Sequence, residues 1–179
     1  DLLGTAGGVA RAAPLLGSGD VLVWNGDILA ELDVHALSAA HAEAGAEATL
    51  AIVPRARGEG TVGVGADGRV VRLRRESFGE EVRGADFIGV HVIGAALRTK
   101  LPERGCLVGD VYIPALRGGA RLATHVVPSP FVDVGSIPHY MAANRAWLEA
   151  RGVASWVAPD AVVVVGRVDG SVIGAGARV

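Results

Sequence analysis

Apolar and polar positions alternate along the chain with two different periods. Strand-length apolar runs are found at 21–24, 48–53 and 87–93. Apolar residues at helical spacing are found at 33–44 and from Pro138 to about 149. Because runs of the two kinds follow one another, we expect an α/β domain with a Rossmann-like, mostly parallel sheet and helices on its faces.

Turn and cap signals mark the ends of these predicted elements. Asp33 stands directly before the first helical stretch and is predicted to cap it, because a carboxylate there can accept the free N–H groups of the first turn. Ala66-Asp67-Gly68 separates two short apolar runs, and Asp-Gly in that setting is a strong hairpin signal. We therefore expect antiparallel strands on both sides of Asp67.

Asn25-Gly26-Asp27 follows the apolar run 21–24 and is the first candidate for chemistry. A buried strand that ends in an acid delivers the carboxylate to the carboxyl edge of the sheet, where ligands of α/β proteins bind. Asp27 is therefore a candidate metal ligand. The same tripeptide is also good turn chemistry, and Asp27 could instead help to start the following helix.

A second acid has the same setting further along the chain. Asp133 lies in the segment Phe131-Val132-Asp133-Val134-Gly135-Ser136, which leads through Pro138 into a predicted helix. It therefore follows a predicted strand and precedes a helix. Two acids so placed are candidates for one site at the same edge of the sheet.

Three segments in this order resemble the sugar-1-phosphate nucleotidyltransferases, the NDP-sugar pyrophosphorylase family. They are LGTAGG at 3–8, VWNGD at 23–27 and FVDVGSIPHYMAANRAWLE at 131–149. The resemblance covers residues 1 to about 151. It implies nucleotidyl transfer from an NTP to a sugar 1-phosphate, giving an NDP-sugar and pyrophosphate, most like a mannose-1-phosphate guanylyltransferase or a related uridylyltransferase. The nucleobase and the sugar are left open.

The resemblance also implies roles for individual residues. Asp27 and Asp133 are expected to be catalytic and to hold one Mg²⁺ together. The expected nucleotide-binding residues are Gly4, Thr5, Ala6, Gly7, Asn25 and Gly26. Glu76 and Gly89 are the expected sugar contacts, although a glycine inside a strand also indicates a β-bulge.

The chain departs from the family pattern at two places. The glycine-rich loop that holds the triphosphate in the family does not precede Asp1, so we expect this chain alone to be incomplete for catalysis. Ser77 stands where many relatives have a lysine. Arg74 or Arg75 could replace that charge, or both could belong to a solvated strand face.

Two alternatives to catalysis by this family stay open. A non-catalytic member that binds nucleotide-sugar in a regulatory or scaffolding role is favoured by both departures and disfavoured by the retention of both acids. A metal-dependent glycosyltransferase of related architecture usually carries two closely spaced acids at the strand end. Asn25-Gly26-Asp27 lacks the first of these, which lowers this alternative.

The C-terminal residues have a different pattern. Segments 157–162 and 172–179 resemble the hexapeptide repeats of a left-handed parallel β-helix. We therefore predict a nucleotidyltransferase core over 1–151 and the start of a β-helix over 152–179. A solenoid with an open end exposes strand edges, so we expect a homo-oligomer through this end.

Composition narrows the remaining classes. The net charge of −2 gives no basic footprint for nucleic acid, and no apolar run is long enough to cross a membrane. The single cysteine, Cys106, excludes an internal disulfide and fits a cytoplasmic location, and we expect it to be a small buried hydrophobe. His91 alternates with valines and is predicted to be a hydrogen-bonded strand histidine rather than a base.

Overall fold

The computed structural model describes residues 1–128, 131–164 and 166–179. The described residues form two compact units, Asp1–Phe131 (unit 1) and Val132–Val179 (unit 2). The boundary predicted from the sequence lies at 151/152, whereas here the helix before it groups with the C-terminal residues. A division into a catalytic core and a C-terminal extension stays a prediction.

Unit 1 contains eight complete strands and four α-helices among its described residues. The strands are β1 (Val21–Trp24), β2 (Ile28–Ala30), β3 (Ala48–Arg55), β4 (Val62–Val64), β5 (Val70–Leu73), β6 (Glu76–Ser77), β7 (Arg83–Ile93) and β8 (Leu122–Val126). The helices are α1 (Gly4–Ala12), α2 (Val34–Ala44), α3 (Ala95–Arg98) and α4 (Ile113–Arg117). Unit 1 also contains a 3₁₀ turn at Ala13–Leu15 and a π-helical turn at Leu107–Tyr112. Strand β9 (Phe131–Asp133) begins at Phe131, the last residue of unit 1.

The main sheet has the strand order β6-β5-β4-β7-β3-β8, with β1 also paired to β7. Strands β3 and β8 are parallel, and β1 and β3 both run antiparallel to β7. The three strands β1, β3 and β8 thus share one direction, as expected of an α/β sheet. The unit is a mixed α/β domain.

Most neighbouring strands in this sheet are nevertheless antiparallel, which corrects the prediction of a mostly parallel sheet. Strands β4 to β7 follow one another without an intervening α-helix, and their pairs β4–β5, β5–β6 and β4–β7 are antiparallel. Short turns can join only antiparallel neighbours, because a parallel pair needs a long crossover. The regular alternation of strands and helices therefore breaks between residues 62 and 93.

The predicted helix cap and hairpin are confirmed. The Asp33 carboxylate accepts hydrogen bonds from the N–H groups of His35 at 2.9 Å and Ala36 at 3.0 Å, and α2 begins at the next residue. The bonds from Ala36 and His35 lower the pKa of Asp33. Strands β4 and β5 pair antiparallel on either side of Asp67, as its Asp-Gly turn predicts.

Strand β7 bends at a bulge around Gly89. In the pairing of β3 with β7, Leu50 lies opposite His91 and Ile52 lies opposite Phe87, so more residues of β7 than of β3 fill the interval. Gly89 adopts a φ of 77°, a value that glycine reaches without steric cost. The bulge interpretation of this glycine is therefore confirmed.

The core of unit 1 lies on both faces of the sheet. Successive residues of β3 point to opposite faces, so Leu50 and Ile52 enter one apolar cluster and Ala51 enters the other. Helix α2 contributes Leu37 to the cluster around Ala51. The segment 107–116 covers the opposite face, where Tyr112 is fully buried.

His91 is buried, but the hydrogen bond that the sequence predicts for its ring is not found among the described residues. Within the described ranges, neither ring nitrogen of His91 has a hydrogen-bond partner, and the same holds for the Tyr112 hydroxyl. The His91 ring packs between Phe87, 5.4 Å away, and Tyr112, 5.5 Å away and edge-on. Burial lowers the pKa of His91 to about 3, so the ring is neutral at physiological pH.

Unit 2 contains α5 (Ile137–Ala150), β10 (Trp156–Val157) and β11 (Val172–Ile173). Strands β10 and β11 are parallel, and a further parallel bridge joins Val162 to Arg178. Trp147 meets Trp156 edge-on at 5.6 Å. The described residues show these two parallel pairings, and they do not show the predicted β-helix.

One general property concerns the helices of both units. In the part of the chain that the structure describes, no helix combines the length and the apolar character that a membrane crossing requires.

Candidate functional site

The candidate site lies where β7 changes its partner. The first half of β7 pairs with β4 through Arg83 to Ala85, and the second half pairs with β1 through Val90 to Ile93. Strands β4 and β1 therefore leave the same edge of β7 on either side of the bulge at Gly89. The carboxyl end of β1 opens into this split, and ligands of α/β sheets bind outside the carboxyl ends of strands.

Two hydrogen bonds hold the ends of the split. The Asn25 N–H, just after β1, donates to the Gly89 carbonyl at 3.0 Å. The Phe87 N–H donates to the Thr61 hydroxyl, just before β4, at 3.1 Å. The segments on the two sides of the split are thus hydrogen-bonded to Phe87 and Gly89 of β7, which lie on either side of Ile88.

The Asn25-Gly26-Asp27 turn is closed by its neighbours. The Ile28 N–H donates to the Asn25 carbonyl at 3.1 Å, and the Trp24 indole N–H donates to the Ile28 carbonyl at 2.9 Å. The turn is therefore fixed on both sides, while Gly26 and Asp27 themselves are exposed. A β-carbon at Gly26 would meet no atom within 4 Å, so internal packing leaves space beside it.

Asp27 does not start the following helix, so that alternative is wrong. Strand β2 follows the turn, and Asp33 caps α2. Among the described residues, no hydrogen bond or ion pair engages the Asp27 carboxylate. An exposed carboxylate on a fixed turn can take a cation or a hydrogen-bond donor from a ligand.

Gly89 is needed by the turn itself. A β-carbon at position 89 would lie 2.8 Å from the Asn25 amide nitrogen and 3.1 Å from an Ile28 side-chain carbon. The Asn25 side chain therefore occupies the space above Gly89. A sugar contact at Gly89 stays a prediction, and any ligand there would also meet Asn25.

The N-terminal segment Gly4 to Gly7 forms the first turns of α1 and packs against residues 103–107. The Ala6 N–H donates to the Gly105 carbonyl at 2.9 Å, and the Thr5 hydroxyl accepts from the Leu107 N–H at 3.0 Å. A β-carbon at Gly4 or Gly7 would collide with the backbone of that segment. These residues therefore have a packing role, and their predicted contact with a nucleobase stays a prediction.

Asp133 belongs to unit 2. It is exposed, and one carboxylate oxygen accepts the Gly135 N–H at 2.8 Å. The described residues contain no group of three or more His, Cys, Asp or Glu side chains arranged to hold a metal ion. Asp27 and Asp133 each offer carboxylate oxygens, the ligands that Mg²⁺ prefers, so their chemistry fits the ion, and joint binding stays a prediction.

Glu76 lies on β6, which β5 and β4 separate from β7. At about 4.8 Å between neighbouring strands, Glu76 and Gly89 are on strands roughly 14 Å apart. The Glu76 carboxylate accepts two hydrogen bonds from the Arg117 guanidinium, at 2.9 and 2.7 Å. The sequence offered no signal for Arg117, because nothing in its local pattern links it to a residue 41 positions away.

Arg72, for which the sequence predicts no role, connects several segments in this part of the sheet. The Arg72 guanidinium donates to both carboxylate oxygens of Glu81, at 2.7 and 3.2 Å, and to the carbonyls of Glu59 and Gly60. Glu81 in turn accepts the Gly58 N–H at 2.8 Å. Arg72 thereby ties β5 to the loop that leads into β4, next to the split.

The prediction that Cys106 is a small buried hydrophobe is wrong. Cys106 is partly exposed, and the Arg74 guanidinium donates to its sulfur at 3.4 Å. Burial raises the pKa of the Cys106 thiol, but hydrogen bonds from the Gly109 and Val108 N–H groups and from Arg74 outweigh burial. The net result is a lowered pKa for the thiol.

Comparison with known proteins supports the fold. No family model and no curated protein match the chain. Two solved structures of HddC from Yersinia pseudotuberculosis are similar. One has 19% identity over 80% of this chain with a TM-score of 0.62, and the other, in complex with GMP-PN, has 17% identity over 82% with a TM-score of 0.64. The chain spans 62% and 64% of those two HddC chains, and at such identities the likeness establishes the fold.

Proposed function

We propose that this chain is the core of a nucleotidyltransferase that joins an NTP to a sugar 1-phosphate and releases pyrophosphate. One observation carries the proposal: an exposed Asp27 on a fixed turn at the split of β7, in a fold shared with HddC, which has been solved with GMP-PN. Among the substrates of such enzymes, mannose 1-phosphate with GTP, or a related uridylyl donor, is the proposed pair. A cytoplasmic enzyme that assembles through the 152–179 end belongs to the same proposal.

In this reaction a phosphate oxygen of the sugar phosphate attacks the α-phosphorus of the NTP. A new P–O bond forms, and the bond to the β-phosphate breaks as pyrophosphate leaves. Positioning and charge neutralisation supply most of the acceleration in phosphoryl chemistry of this kind. Asn25, with its side chain over Gly89, would hold the turn and so fix Asp27 relative to the bound nucleotide.

Mg²⁺ would neutralise phosphate charge and orient the two substrates when bound. Asp27 and Asp133 are the residues proposed to hold it, because both are exposed carboxylates, Asp27 just after β1 and Asp133 at the last residue of β9. Nucleotide contacts are proposed for residues 4–7 and for Asn25 and Gly26, and sugar contacts for Glu76 and Gly89. For Glu76 to meet a sugar hydroxyl it must share its carboxylate with Arg117 or release it.

A regulatory or scaffolding protein that binds nucleotide-sugar without turnover is the second candidate. The observation in its favour is that Arg117 already takes both oxygens of Glu76, which leaves this acid less free to contact a substrate. Ser77, where many relatives carry a lysine, points the same way.

Pyrophosphate release tests the proposal. The 179-residue chain, and a version with the glycine-rich loop of the family joined before Asp1, are each assayed with a panel of NTPs and sugar 1-phosphates in Mg²⁺. We expect turnover in the extended version and little in the shorter one. Asp27→Asn and Asp133→Asn should each lower kcat by about 10²–10³, the usual cost of a preorganised charge-stabilising group. Asp160→Asn, at an exposed acid of unit 2, is the matched control and should keep full activity.

Two results would contradict the proposal. Full activity of Asp27→Asn and Asp133→Asn would remove both acids from the reaction. Absence of turnover with every substrate pair, together with tight binding of an NDP-sugar, would establish the regulatory candidate instead.

A further inference from the structure

The hairpin that joins β5 to β6 has an unusual residue in its turn. Leu73 pairs with Glu76, so Arg74 and Arg75 are the two turn residues. Arg74 has a φ of 55°, and no other non-glycine residue of the described ranges has a positive φ. Two-residue hairpins reserve such positions for Gly, Asn or Asp, because a side chain there is strained.

The strained residue is held in place from two directions. The Arg74 N–H donates to the Thr61 carbonyl at 2.7 Å, and its guanidinium donates to the Cys106 sulfur at 3.4 Å. A β-carbon at Gly109 would lie 3.3 Å from the guanidinium, so the Arg74 side chain also rests on the Gly109 backbone. Strain that the surrounding contacts maintain is typical of functional positions.

The turn forms one wall of a cavity of about 360 Å³. Its lining residues are Arg74, Arg75, Glu76, Gly109, Ile113 and Arg117. Three of these six residues carry a guanidinium group and one carries a carboxylate. The cavity lies within unit 1, and strands β5 and β4 separate β6 from β7, the strand to which the Asp27 turn is anchored.

The charges of this cavity do not balance. Glu76 accepts both of its hydrogen bonds from Arg117, which neutralises that pair. In the described part of the chain, neither Arg74 nor Arg75 forms an ion pair with a carboxylate. Two uncompensated guanidinium groups therefore stand side by side at the wall.

We propose that Arg74, Arg75 and Arg117 form a binding site for a phosphate dianion, either free or as the terminal group of a phosphate monoester. Adjacent guanidinium forks match the oxygens of phosphate in geometry and charge, and such charge-assisted hydrogen bonds are the strong ones. The excess of two positive charges matches the dianion. The site is argued from the hairpin and the cavity, so it stands whether or not the chain transfers nucleotides.

Isothermal titration of inorganic phosphate into the 179-residue protein, at low salt, tests the site. We expect a dissociation constant of about 1 mM, which is ordinary for a small ion in an open cavity. Arg74→Gly and Arg75→Gln should each weaken binding by about tenfold or more, since each removes a charge-assisted contact. Arg167→Gln, an exposed arginine of unit 2, removes the same charge at a distance and should bind phosphate as the unchanged protein does.

Arg74→Gly separates a binding role from a structural one. Glycine relieves the strain at φ 55°, so the melting temperature should stay the same or rise while phosphate binding falls. Equal phosphate affinity in all four proteins, or equal weakening in Arg167→Gln, would overturn the site in favour of general charge attraction. Tighter binding of glucose 1-phosphate than of inorganic phosphate would support the site and identify a sugar phosphate as its ligand, whereas equal affinity would support a site for free phosphate.

Discussion

The side chain of Asn25 lies directly over the backbone of Gly89, and the Asn25 N–H donates to the Gly89 carbonyl. This pair joins the turn that carries Asp27 to the bulge at which β7 changes partner. The position of the candidate site therefore depends on a glycine in the middle of the longest strand.

Replacing Gly89 with alanine tests this relationship. We expect Gly89→Ala to lower the free energy of unfolding by about 1–3 kcal/mol, because its φ of 77° is unfavourable for a side chain and the new methyl group meets the Asn25 amide. Urea unfolding measures the loss. Gly26→Ala, where a methyl group meets nothing within 4 Å, is the control and should change stability by no more than about 0.5 kcal/mol. Equal losses in the two variants would show that the contact between Gly89 and Asn25 does not contribute to the free energy of unfolding.

The Arg72–Glu81 pair should contribute more stability than an ordinary surface pair. The two side chains are only 16% and 12% exposed, and Arg72 also serves several backbone carbonyls. Arg72→Ala is expected to cost about 3–5 kcal/mol, as for a buried ion pair that loses one partner. Arg69→Ala, whose pair with Asp67 is 46% and 54% exposed, should cost less than about 1 kcal/mol. Chemical denaturation of both variants makes the comparison, and similar losses would contradict the role given to Arg72.

Acid should destabilise the protein through His91. The folded-state pKa is about 3 against 6.5 for an unperturbed histidine, so between these values the unfolded chain takes up a proton that the folded chain does not. The contribution of neutral His91 to stability is therefore complete above about pH 6.5 and falls as the pH decreases toward 3, by up to about 1.4 kcal/mol per pH unit.

His91→Leu removes this titration and both unpartnered nitrogens. We expect the unfolding free energy of His91→Leu to rise relative to that of the unchanged protein as the pH is lowered from 7.5 to 4.5. Urea unfolding across that range measures it. A difference that stays constant with pH would mean that His91 titrates alike in both states.

The Cys106 thiol should react faster than an ordinary cysteine because Arg74 and two backbone N–H groups stabilise its thiolate. Arg74→Gly is expected to raise the thiol pKa and slow alkylation by iodoacetamide at pH 7.5, by up to about tenfold for one pKa unit. The protein has one cysteine, so the rate of labelling reports this residue alone. Arg75→Gln is the neighbouring control, and an equal slowing there would assign the effect to general charge rather than to the contact.

Local signals in the sequence predicted local structure well. The strand at 21–24, the cap at Asp33 and the Asp-Gly hairpin are confirmed because each depends on a few adjacent residues. The direction of β7 was missed, since pairing is decided by connections along the whole chain. The tight turn at Arg74 and Arg75 could not be predicted from the sequence, because β6 is only two residues long.

The candidate site could be predicted only in part. The turn at Asp27 follows from its position after an apolar run, although that run is half-exposed rather than buried as predicted. The contacts of Glu76 with Arg117 and of Thr5 with Leu107 join residues far apart in sequence. His91 shows the same limit in the core. Alternation predicts that the ring is buried, whereas its lack of a partner depends on side chains from other elements.

The hydrogen bond from Trp24 to Ile28 gives the candidate site an optical reporter of its own. Trp24 is the single tryptophan of unit 1, and the other two, Trp147 and Trp156, lie in unit 2. With both of those replaced by phenylalanine, the fluorescence emission of the protein would come from an indole that is 37% exposed and closes the Asp27 turn. Binding of a ligand at this turn would then change the emission of Trp24, and neither the ligand nor the protein would need an added label.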